Sequence, residues 1–428
     1  MDNKELVNYC IDSIKKLGAD KASCSLEITE KKELNVESGE ITLMRTTFNT
    51  DINITIIKNR KKGSTIINKR DKESINFAIE EAIHMAEASQ IDEAYDISEY
   101  QPRNIFNKGP KSANNETMYT RLKEFVDYVN KAYPKINLEQ TIVDYKNIKS
   151  FYQNTNGVDF QINKGYYSAA FMFLAKEKEF TSSFNYTRFS SLNLTEPFYK
   201  YGSINTLLRQ CSEQLKPKKI EEKFDGQIII TPDCLHEFLH FIIADISGPK
   251  MISKNSIYKN MINKSIANPK LTLKSKPLSK NFADGYFITN DGYEAKNCTI
   301  IKNGVLQTYL LDKYASNKLD LDRTNNSGGN YIVEPGIKSH KELIKEIKKG
   351  VLLARFSGGN PANNGDFSGV AKNSYYIENG EIQYPITETM VSGNLKEMFE
   401  NLYEISSDQI NNGSNLLPWI AFDGLTIS

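Results

Sequence analysis

The amino-acid sequence predicts an α+β protein of two domains, with mostly antiparallel sheets flanked by helices. Three observations support this prediction. The chain has 428 residues, which exceeds the size at which one hydrophobic core keeps growing. Its strand-like stretches alternate with period two and are joined by short turns such as Asn-Gly, which is typical of hairpins. Hydrophobic residues make up 39% of the chain and charged residues 25%, as in ordinary globular proteins.

The first half of the chain alternates helix patterns with strand patterns. Apolar residues recur at helical spacing between Leu6 and Leu17, which predicts an amphipathic helix at the start of the chain that stops at Gly18. Period-two alternation then predicts a ribbon over 24–48 that turns at Glu37–Glu40, and a hairpin over 52–68. Asp71 is placed to cap the next helix. That helix is predicted at about 72–89, and an irregular polar connection follows at 95–116. The next predicted elements are a helix at 117–132, strand-rich runs at 140–165 and 167–196, and a helix at 204–215.

A charged, turn-forming segment at 216–226 separates the two predicted domains, which we place at 1–220 and 221–428. The second domain opens with a strand over Gln227–Thr231, and Pro232 suits the first turn of the helix that follows. Beyond this helix we expect two hairpins that turn on Asn-Gly, at about 300–312 and 375–386, with a helix between them at about 340–349.

Charge and cysteine usage limit the function classes. The net charge of +1 gives no overall attraction to nucleic acid or membrane. Residues 250–280 carry eight lysines and no acid, which is typical of a solvated loop, the alternative being a contact with nucleic acid or an acidic peptide. The five cysteines are scattered, which favours a reducing compartment over a disulfide framework. We expect a cytoplasmic protein, since neither a secretory signal nor a membrane span is recognisable.

The sequence contains one HExxH pattern, formed by His236, Glu237 and His240 on the helix after Pro232. Residues four apart on an α-helix are separated by about 40° around its axis, so both imidazoles can project from one face and bind one zinc ion. Glu237 is placed to take a proton from a zinc-bound water and deliver it to a leaving amine. This arrangement predicts hydrolysis of peptide or amide bonds.

A third metal ligand is needed for a zinc site, and none is evident near the pattern. Asp245 lies nine residues after His236 and faces the other side of the helix. Cys298, Asp284 and Asp291 are candidates if the fold brings them back to the helix. The alternative interpretation is a buried helix whose two histidines and glutamate bond to their neighbours.

The other two histidines are weaker candidates for a site. His84 lies on a predicted helix within a turn of Glu80 and Glu87, which favours a surface ion pair. His340 stands near the start of a predicted helix, where we expect it to be exposed.

The second half of the chain resembles the TldD/PmbA family. The stretch "DGYEAKNCTIIKNGVLQTYLLDKYA", with Asp291-Gly292 at its start, is similar to the family's acid-glycine turn and the segment after it. "GVLLARFSGGNPANNGDFSG" and "YYIENGEIQYPI" are similar to two later family segments. In the first half, "GAD", "VESGEI" and "KKGSTIIN" fit the same family, so the resemblance covers essentially the whole chain.

The resemblance implies a two-domain α+β fold, formerly described as a modulator of DNA gyrase, and a cytoplasmic peptidase system that acts on unfolded peptides. The TldD-type subunit of that system carries an HExxxH motif and a cysteine near its C-terminus. The PmbA-type (TldE) subunit lacks both and completes the chamber of a heterodimer. Here His236 and Glu237 match the motif, His240 comes one residue early, and Phe241 stands at the family's position. The segment 406–420 has no cysteine and looks PmbA-like.

Two functions from different classes follow. The first is a zinc metallopeptidase that hydrolyses unfolded peptides, with His236 and His240 as metal ligands and Glu237 as general base. The second is a non-catalytic PmbA/TldE-type subunit that shapes a peptide-binding chamber. Either protein would pair as a homodimer or as a heterodimer with another chain of the family. Binding to gyrase or DNA ranks third, since only the lysines of 250–280 favour it.

Overall fold

The chain folds into two halves, each built on one mostly antiparallel β-sheet. In the computed structural model, which describes residues 1–37 and 39–428, an eight-stranded sheet is followed along the chain by a thirteen-stranded sheet. Helices pack against both sheets and bury their apolar faces. The predicted α+β class with mostly antiparallel sheets is confirmed.

The first half contains four α-helices and eight strands among the described residues. The helices are α1 (Asn3–Lys16), α2 (Lys72–Ala88), α3 (Asn115–Ala132) and α4 (Ile204–Glu213). The strands are β1 (Lys21–Glu37), β2 (Glu40–Lys58), β3 (Lys61–Ile67), β4 (Asn104–Lys108), β5 (Ile136–Asn154), β6 (Asp159–Glu177), β7 (Phe180–Thr181) and β8 (Asn185–Ser191). A short 3₁₀ turn spans Phe198–Lys200.

The first sheet has one apolar face and one polar face. Its main order is β3-β2-β1-β5-β6-β4, and β7 and β8 pair with β6. Side chains alternate between the faces of a strand, so Leu26 and Ile54 are fully buried in the core with α1 and α2, whereas Ser25 and Thr55 lie on the opposite face. That polar face is turned toward residues 286–290 of the second half, and a cavity of about 480 Å³ lies between them.

The second half contains five α-helices and thirteen strands among the described residues. The helices are α5 (Pro232–Asp245), α6 (Gly248–Ile252), α7 (Lys313–Leu319), α8 (His340–Glu346) and α9 (Leu395–Glu400). The strands are β9 (Phe224–Ile230), β10 (Leu273–Ser275), β11 (Cys298–Lys302), β12 (Val305–Leu306), β13 (Tyr331–Val333), β14 (Lys349–Leu353), β15 (Arg355–Gly358), β16 (Asp366–Lys372), β17 (Tyr375–Glu378), β18 (Glu381–Pro385), β19 (Thr389–Asn394), β20 (Leu402–Asn411) and β21 (Leu416–Ile427).

Most of the predicted elements form close to their predicted bounds. Helix α1 forms at the start of the chain as predicted, where Asp2 caps it in a capping box with Glu5, and Asp71 caps α2 as predicted. The connection expected to be irregular at 95–116 contains β4, which forms through a parallel pairing with β6 that no local pattern indicates. The turn predicted at Glu37–Glu40 includes Ser38, which lies outside the described residues.

The charged segment 216–226 lies at the end of the connection between the two sheets. The last strand of the first sheet ends at Ser191 and the first strand of the second sheet begins at Phe224. The division into domains at 1–220 and 221–428 is compatible with these bounds and stays a prediction.

A segment of the first half without regular structure, residues 89–103, ties the two halves together. Tyr95 stacks on Tyr314 of α7 with ring centroids 5.2 Å apart. Glu99 accepts a hydrogen bond from the ammonium group of Lys313. These contacts hold the first sheet beside the second half and so fix the space between them.

Membrane insertion through a helix finds no support in the described part of the chain. None of the helices there combines the length and the apolar composition that a bilayer span requires.

Candidate functional site

Helix α5 carries the HExxH pattern and is anchored by its apolar face. Pro232 occupies the first turn, where its missing N–H is not needed. Leu235, Phe238 and Leu239 are at most 1% exposed and belong to the core of the second half. The Phe238 ring packs against Phe356 of β15, with centroids 5.2 Å apart. This packing fixes the rotation of α5 and leaves the polar side chains of the pattern on its outer side.

His236 and His240 are both exposed on the outer side of α5, and Glu237 is half-buried between them. Nδ1 of His236 lies 2.8 Å from the carbonyl oxygen of Asp233. Because a carbonyl oxygen only accepts hydrogen bonds, Nδ1 carries the proton and Nε2 keeps its lone pair. Nearby protein mass excludes bulk water and lowers the pKa of His236, and the positive charges of Arg188 and His240 act in the same direction. The neutral imidazole is therefore favoured.

Glu237 faces strand β15 of the second half. Burial raises the pKa of Glu237, and the charge of Arg355 on β15 opposes this shift. The guanidinium group of Arg355 donates to the carbonyl oxygen of Phe184 at 2.6 Å and lies 4.6 Å from the centre of the Tyr186 ring. Arg355 thus connects the HExxH helix to strand β8 of the first sheet.

The residues around α5 do not complete a metal site within this chain. In residues 1–37 and 39–428, no three side chains of histidine, cysteine, aspartate or glutamate come together in a group that could hold a metal ion. His236 and His240 supply two donors at most, and a zinc site needs at least three protein ligands. Zinc binding by these two histidines stays a prediction.

The residues considered as a third ligand have other partners. Asp245 is 2% exposed and pairs with Lys250 at 3.1 Å. Asp284 accepts from Ser414 at 2.5 Å and from Asn330 at 3.1 Å. Asp291 is engaged in a two-bond contact with Arg323, and Cys298 lies on β11, where it packs against the core of the second half.

The remaining histidines have structural partners. His84 lies on α2 with Nδ1 3.7 Å from a carboxylate oxygen of Glu87, the surface contact that the sequence predicts. His340 is half-buried rather than exposed, because its ring stacks on Trp419 with centroids 4.5 Å apart. Its Nδ1 lies 2.8 Å from a carboxylate oxygen of Asp408.

The lysine-rich run 250–280 is partly neutralised by acids from other segments. Lys250, Lys270 and Lys274 form ion pairs with Asp245, Glu404 and Glu334. This pairing favours the interpretation of a solvated surface over a nucleic-acid contact.

A cleft of about 380 Å³ lies between the first sheet and α5. His236 is the member of the HExxH pattern that lines it. The other lining residues come from β5, β6, β8, the start of α5 and the segment around the turn between β20 and β21; they are Gln140, Ala170, Phe171, Met172, Tyr186, Thr187, Arg188, Pro232, Asp233, Asn412, Asn415 and Leu417. The cleft is large enough for a short segment of chain, with one imidazole and one guanidinium group at its walls.

Strand β8 presents a backbone edge to this cleft. It pairs with β6, and its other edge has no strand partner among the described residues. The N–H of Ser190 points away from β6, since it donates to the carbonyl oxygen of Asn412 at 2.9 Å. Backbone groups of an antiparallel strand alternate in direction, so those of Arg188 and Tyr186 point the same way. The Tyr186 N–H accordingly bonds to the side chain of Asn185 at 3.1 Å.

The sequence predicts the helix and its three polar residues, but it does not predict the residues of β8 on the opposite side of the cleft. Tyr186 and Arg188 lie in "NYTRFS", a short strand whose composition carries no functional pattern. They reach His236 only through the register of β8 on β6, where Arg188 pairs with Ala170. A long-range register of this kind leaves no local signal in a single sequence.

The two mostly antiparallel sheets, and the helix with an HExxH pattern that walls a cleft against the first of them, define the class of protein: a two-sheet α+β protein with an HExxH helix beside a cleft. Residues 225–428 match the sequence model of the PmbA/TldA metallopeptidase C-terminal domain, and residues 22–86 match that of PmbA/TldA metallopeptidase domain 1. Together these regions cover more than half of the chain. The chain belongs to the PmbA/TldD family.

Known proteins support the same assignment. The Metalloprotease PmbA homolog of Buchnera aphidicola is 33% identical over 50% of this chain and 50% of its own length. The chain spans about half the length of the first curated relatives it matches, but the PmbA homolog of Haemophilus influenzae aligns over 98% of this chain and 96% of its own, at 22% identity. The crystal structure of TldE from Thermococcus kodakarensis superposes with a TM-score of 0.84 at 18% identity, covering 99% and 100% of the two chains, which concerns the fold alone.

Proposed function

We propose that this chain is a peptide-binding subunit of the PmbA/TldE type, which holds an extended, unfolded peptide in the cleft between the first sheet and α5. The observation that carries the proposal is the outer edge of β8 at that cleft, which has no strand partner among the described residues. An extended peptide can add to such an edge as a further strand through main-chain hydrogen bonds, which do not depend on its sequence. The names of the relatives as metalloproteases support a peptide as the ligand.

The surroundings of the HExxH helix favour binding without hydrolysis by this chain alone. The donor set of His236 and His240 lacks a third ligand among the described residues. The segment 406–420 contains no cysteine. The HExxH pattern by itself favours a hydrolase over a binding subunit. Because the donor set is incomplete, we rank the binding subunit first. The peptide would then be cleaved by a TldD-type chain that forms a heterodimer with this one.

Filling the cleft tests the proposal. Ala170 is exposed, stands opposite Arg188 and lines the cleft, so Ala170→Trp narrows the cleft that the peptide has to enter beside β8. We expect the variant to bind a fluorescein-labelled, unstructured decapeptide at least about tenfold more weakly by fluorescence anisotropy. Ala88→Trp adds the same side chain at an exposed site on α2 and serves as the matched control. Equal affinities of the two variants would contradict the proposal.

Zinc-dependent hydrolysis is the second candidate function, and the state of His236 favours it. Its Nε2 lone pair is free beside an open cleft, and His240 is exposed one turn further along α5. A third ligand would have to come from outside this chain. Metal analysis of purified protein distinguishes the two functions. Zinc bound in a one-to-one ratio, lost in His236→Ala together with cleavage of the decapeptide, would favour the enzyme. Peptide binding without zinc or cleavage supports the subunit.

A further inference from the structure

Arg188 has no partner in the described part of the chain. Of the nine arginines in the sequence, the other eight each donate to an oxygen atom of another residue, as a hydrogen bond or an ion pair. These include Arg60, whose side chain is 67% exposed and still pairs with Glu93. Exposure alone therefore does not explain why the guanidinium group of Arg188 is left free.

The free guanidinium group belongs to an exposed side chain at the wall of the cleft. Arg188 stands on β8 opposite Ala170 of β6, whose small side chain leaves room above the sheet. Both residues line the 380 Å³ cleft together with His236 of the facing helix. A planar guanidinium group binds a carboxylate through two parallel hydrogen bonds, a geometry that an ammonium group does not offer.

The edge of β8 is closed immediately beyond Arg188. Two residues further along the strand, the N–H of Ser190 is taken by the carbonyl oxygen of Asn412. The carbonyl oxygen of Ser190 is covered by Gly413, where an added Cβ would lie 1.7 Å from it. A peptide strand that pairs with Tyr186 and Arg188 therefore cannot continue along β8 past Ser190. Its chain must end there or turn away.

We propose that Arg188 binds the C-terminal carboxylate of the peptide, so that this chain selects peptides by their free C-terminus. The inference rests on the proposed peptide-binding function. A positively charged N-terminus at the closed end would be repelled by Arg188, whereas a carboxylate supplies the partner that the arginine lacks. The peptide then runs parallel to β8, with its last residue beside Arg188 and its earlier residues toward Tyr186.

Peptides that differ only at the C-terminus test the inference. The probes are one decapeptide without aspartate or glutamate, made as the free acid and as the C-terminal amide, and a third amide peptide with one internal glutamate. We expect the full-length protein to bind the acid at least about tenfold more tightly than the amide, because a charge-assisted bidentate contact is lost. In Arg188→Gln the acid and the amide should bind equally.

The control variant is Arg209→Gln, which removes an arginine on α4 that pairs with Glu213 and leaves the cleft unchanged. It should keep the preference for the acid. The ratio of the two affinities is the readout, because a general loss of structure lowers both. Equal binding of acid and amide by the wild type overturns the inference and leaves the proposed function intact. Tighter binding of the internal-glutamate amide than of the acid, lost in Arg188→Gln, also overturns it, since the carboxylate would then come from a side chain. No binding of any peptide overturns the proposed function and this inference with it.

Discussion

Replacing Asp291 with asparagine removes the charge that holds Arg323 while keeping the shape of the side chain. Nε and Nη2 of Arg323 donate to the two carboxylate oxygens at 2.7 and 2.6 Å. Thr289 and the backbone N–H of Lys313 donate to the same carboxylate at 2.6 and 2.7 Å. The guanidinium carbon of Arg323 also lies 3.3 Å from the centre of the Tyr293 ring. The pair therefore fastens the acid-glycine turn that identifies the family.

The expected cost follows from the burial of the pair. The side chains of Arg323 and Asp291 are 11% and 16% exposed. Removing one partner of a buried ion pair costs about 3–5 kcal/mol, since the other charge is left without compensation. The residual exposure places our expectation for Asp291→Asn at about 2–4 kcal/mol in the free energy of unfolding.

The same pair makes the stability depend on pH in a known direction. Burial raises the pKa of Asp291, but the hydrogen bonds and charge of Arg323 outweigh it, so the folded pKa lies below its usual value. The stabilisation is therefore complete above the unfolded pKa of about 3.9 and is lost as the pH falls through the lower folded pKa. The difference between wild type and Asp291→Asn should be constant from about pH 8 to 5 and shrink below about pH 4.

Trp419 is the one tryptophan of the chain and lies in the second half, so its fluorescence during urea unfolding reports on the half that contains Asp291. Glu400→Gln is the control, because Glu400 and Lys396 form an exposed pair on α9, at 44% and 48% exposure, whose loss costs about 0.5 kcal/mol or less. A loss below about 1 kcal/mol for Asp291→Asn, or a difference from wild type that persists unchanged in acid, would refute the reasoning.

Three further outcomes are expected. Phe238→Ala should destabilise the second half by about 3–5 kcal/mol in the same urea assay, because the ring is 1% exposed beneath the HExxH pattern. Gly63→Ala should destabilise the first half by about 1–3 kcal/mol, measured by circular dichroism, since an added Cβ would lie 1.9 Å from the carbonyl oxygen of Ala82. Burial raises the pKa of Glu99, but Lys313 and Tyr293 outweigh it and hold the value at about 2, so its contribution is complete above about pH 4.3 and lost toward pH 2. Glu99→Gln should cost less than about 1 kcal/mol, because the side chain is 60% exposed, and the loss should vanish in acid.

Local signals in the sequence predict most of the helices and hairpins. Asp71 caps α2, and the Asn-Gly turn at Asn379-Gly380 has positive φ at both residues, as a type I′ hairpin requires. Elements that depend on distant partners were not predictable in the same way. Strand β4 is an example, since it forms through its parallel pairing with β6, which is distant in the sequence.

The candidate site was likewise predictable where it depends on local spacing and not where it depends on distant residues. Helical spacing alone indicates that His236 and His240 share a face, and their exposure in the structure agrees with that geometry. The candidates for a third ligand could be judged only from the fold. Asp291 is an example: in the sequence its carboxylate is a candidate ligand, but in the structure both carboxylate oxygens accept hydrogen bonds from Arg323.

The incomplete donor set and the free arginine lead to one interpretation of the cleft. His236 and His240 provide two of the three protein ligands that a zinc site needs, whereas the neutral imidazole of His236, with a free Nε2, can accept an N–H from a bound peptide. On the opposite wall, β8 offers main-chain groups to the same peptide, and Arg188 offers a cation where the edge closes at Ser190. Under the proposed function, these three features would bind groups that every unfolded peptide carries: N–H, C=O and a terminal carboxylate. Such a cleft would bind a peptide because it is extended and has a free C-terminus, whatever its sequence. This selectivity suits the proposed subunit that presents unfolded peptides to a catalytic partner.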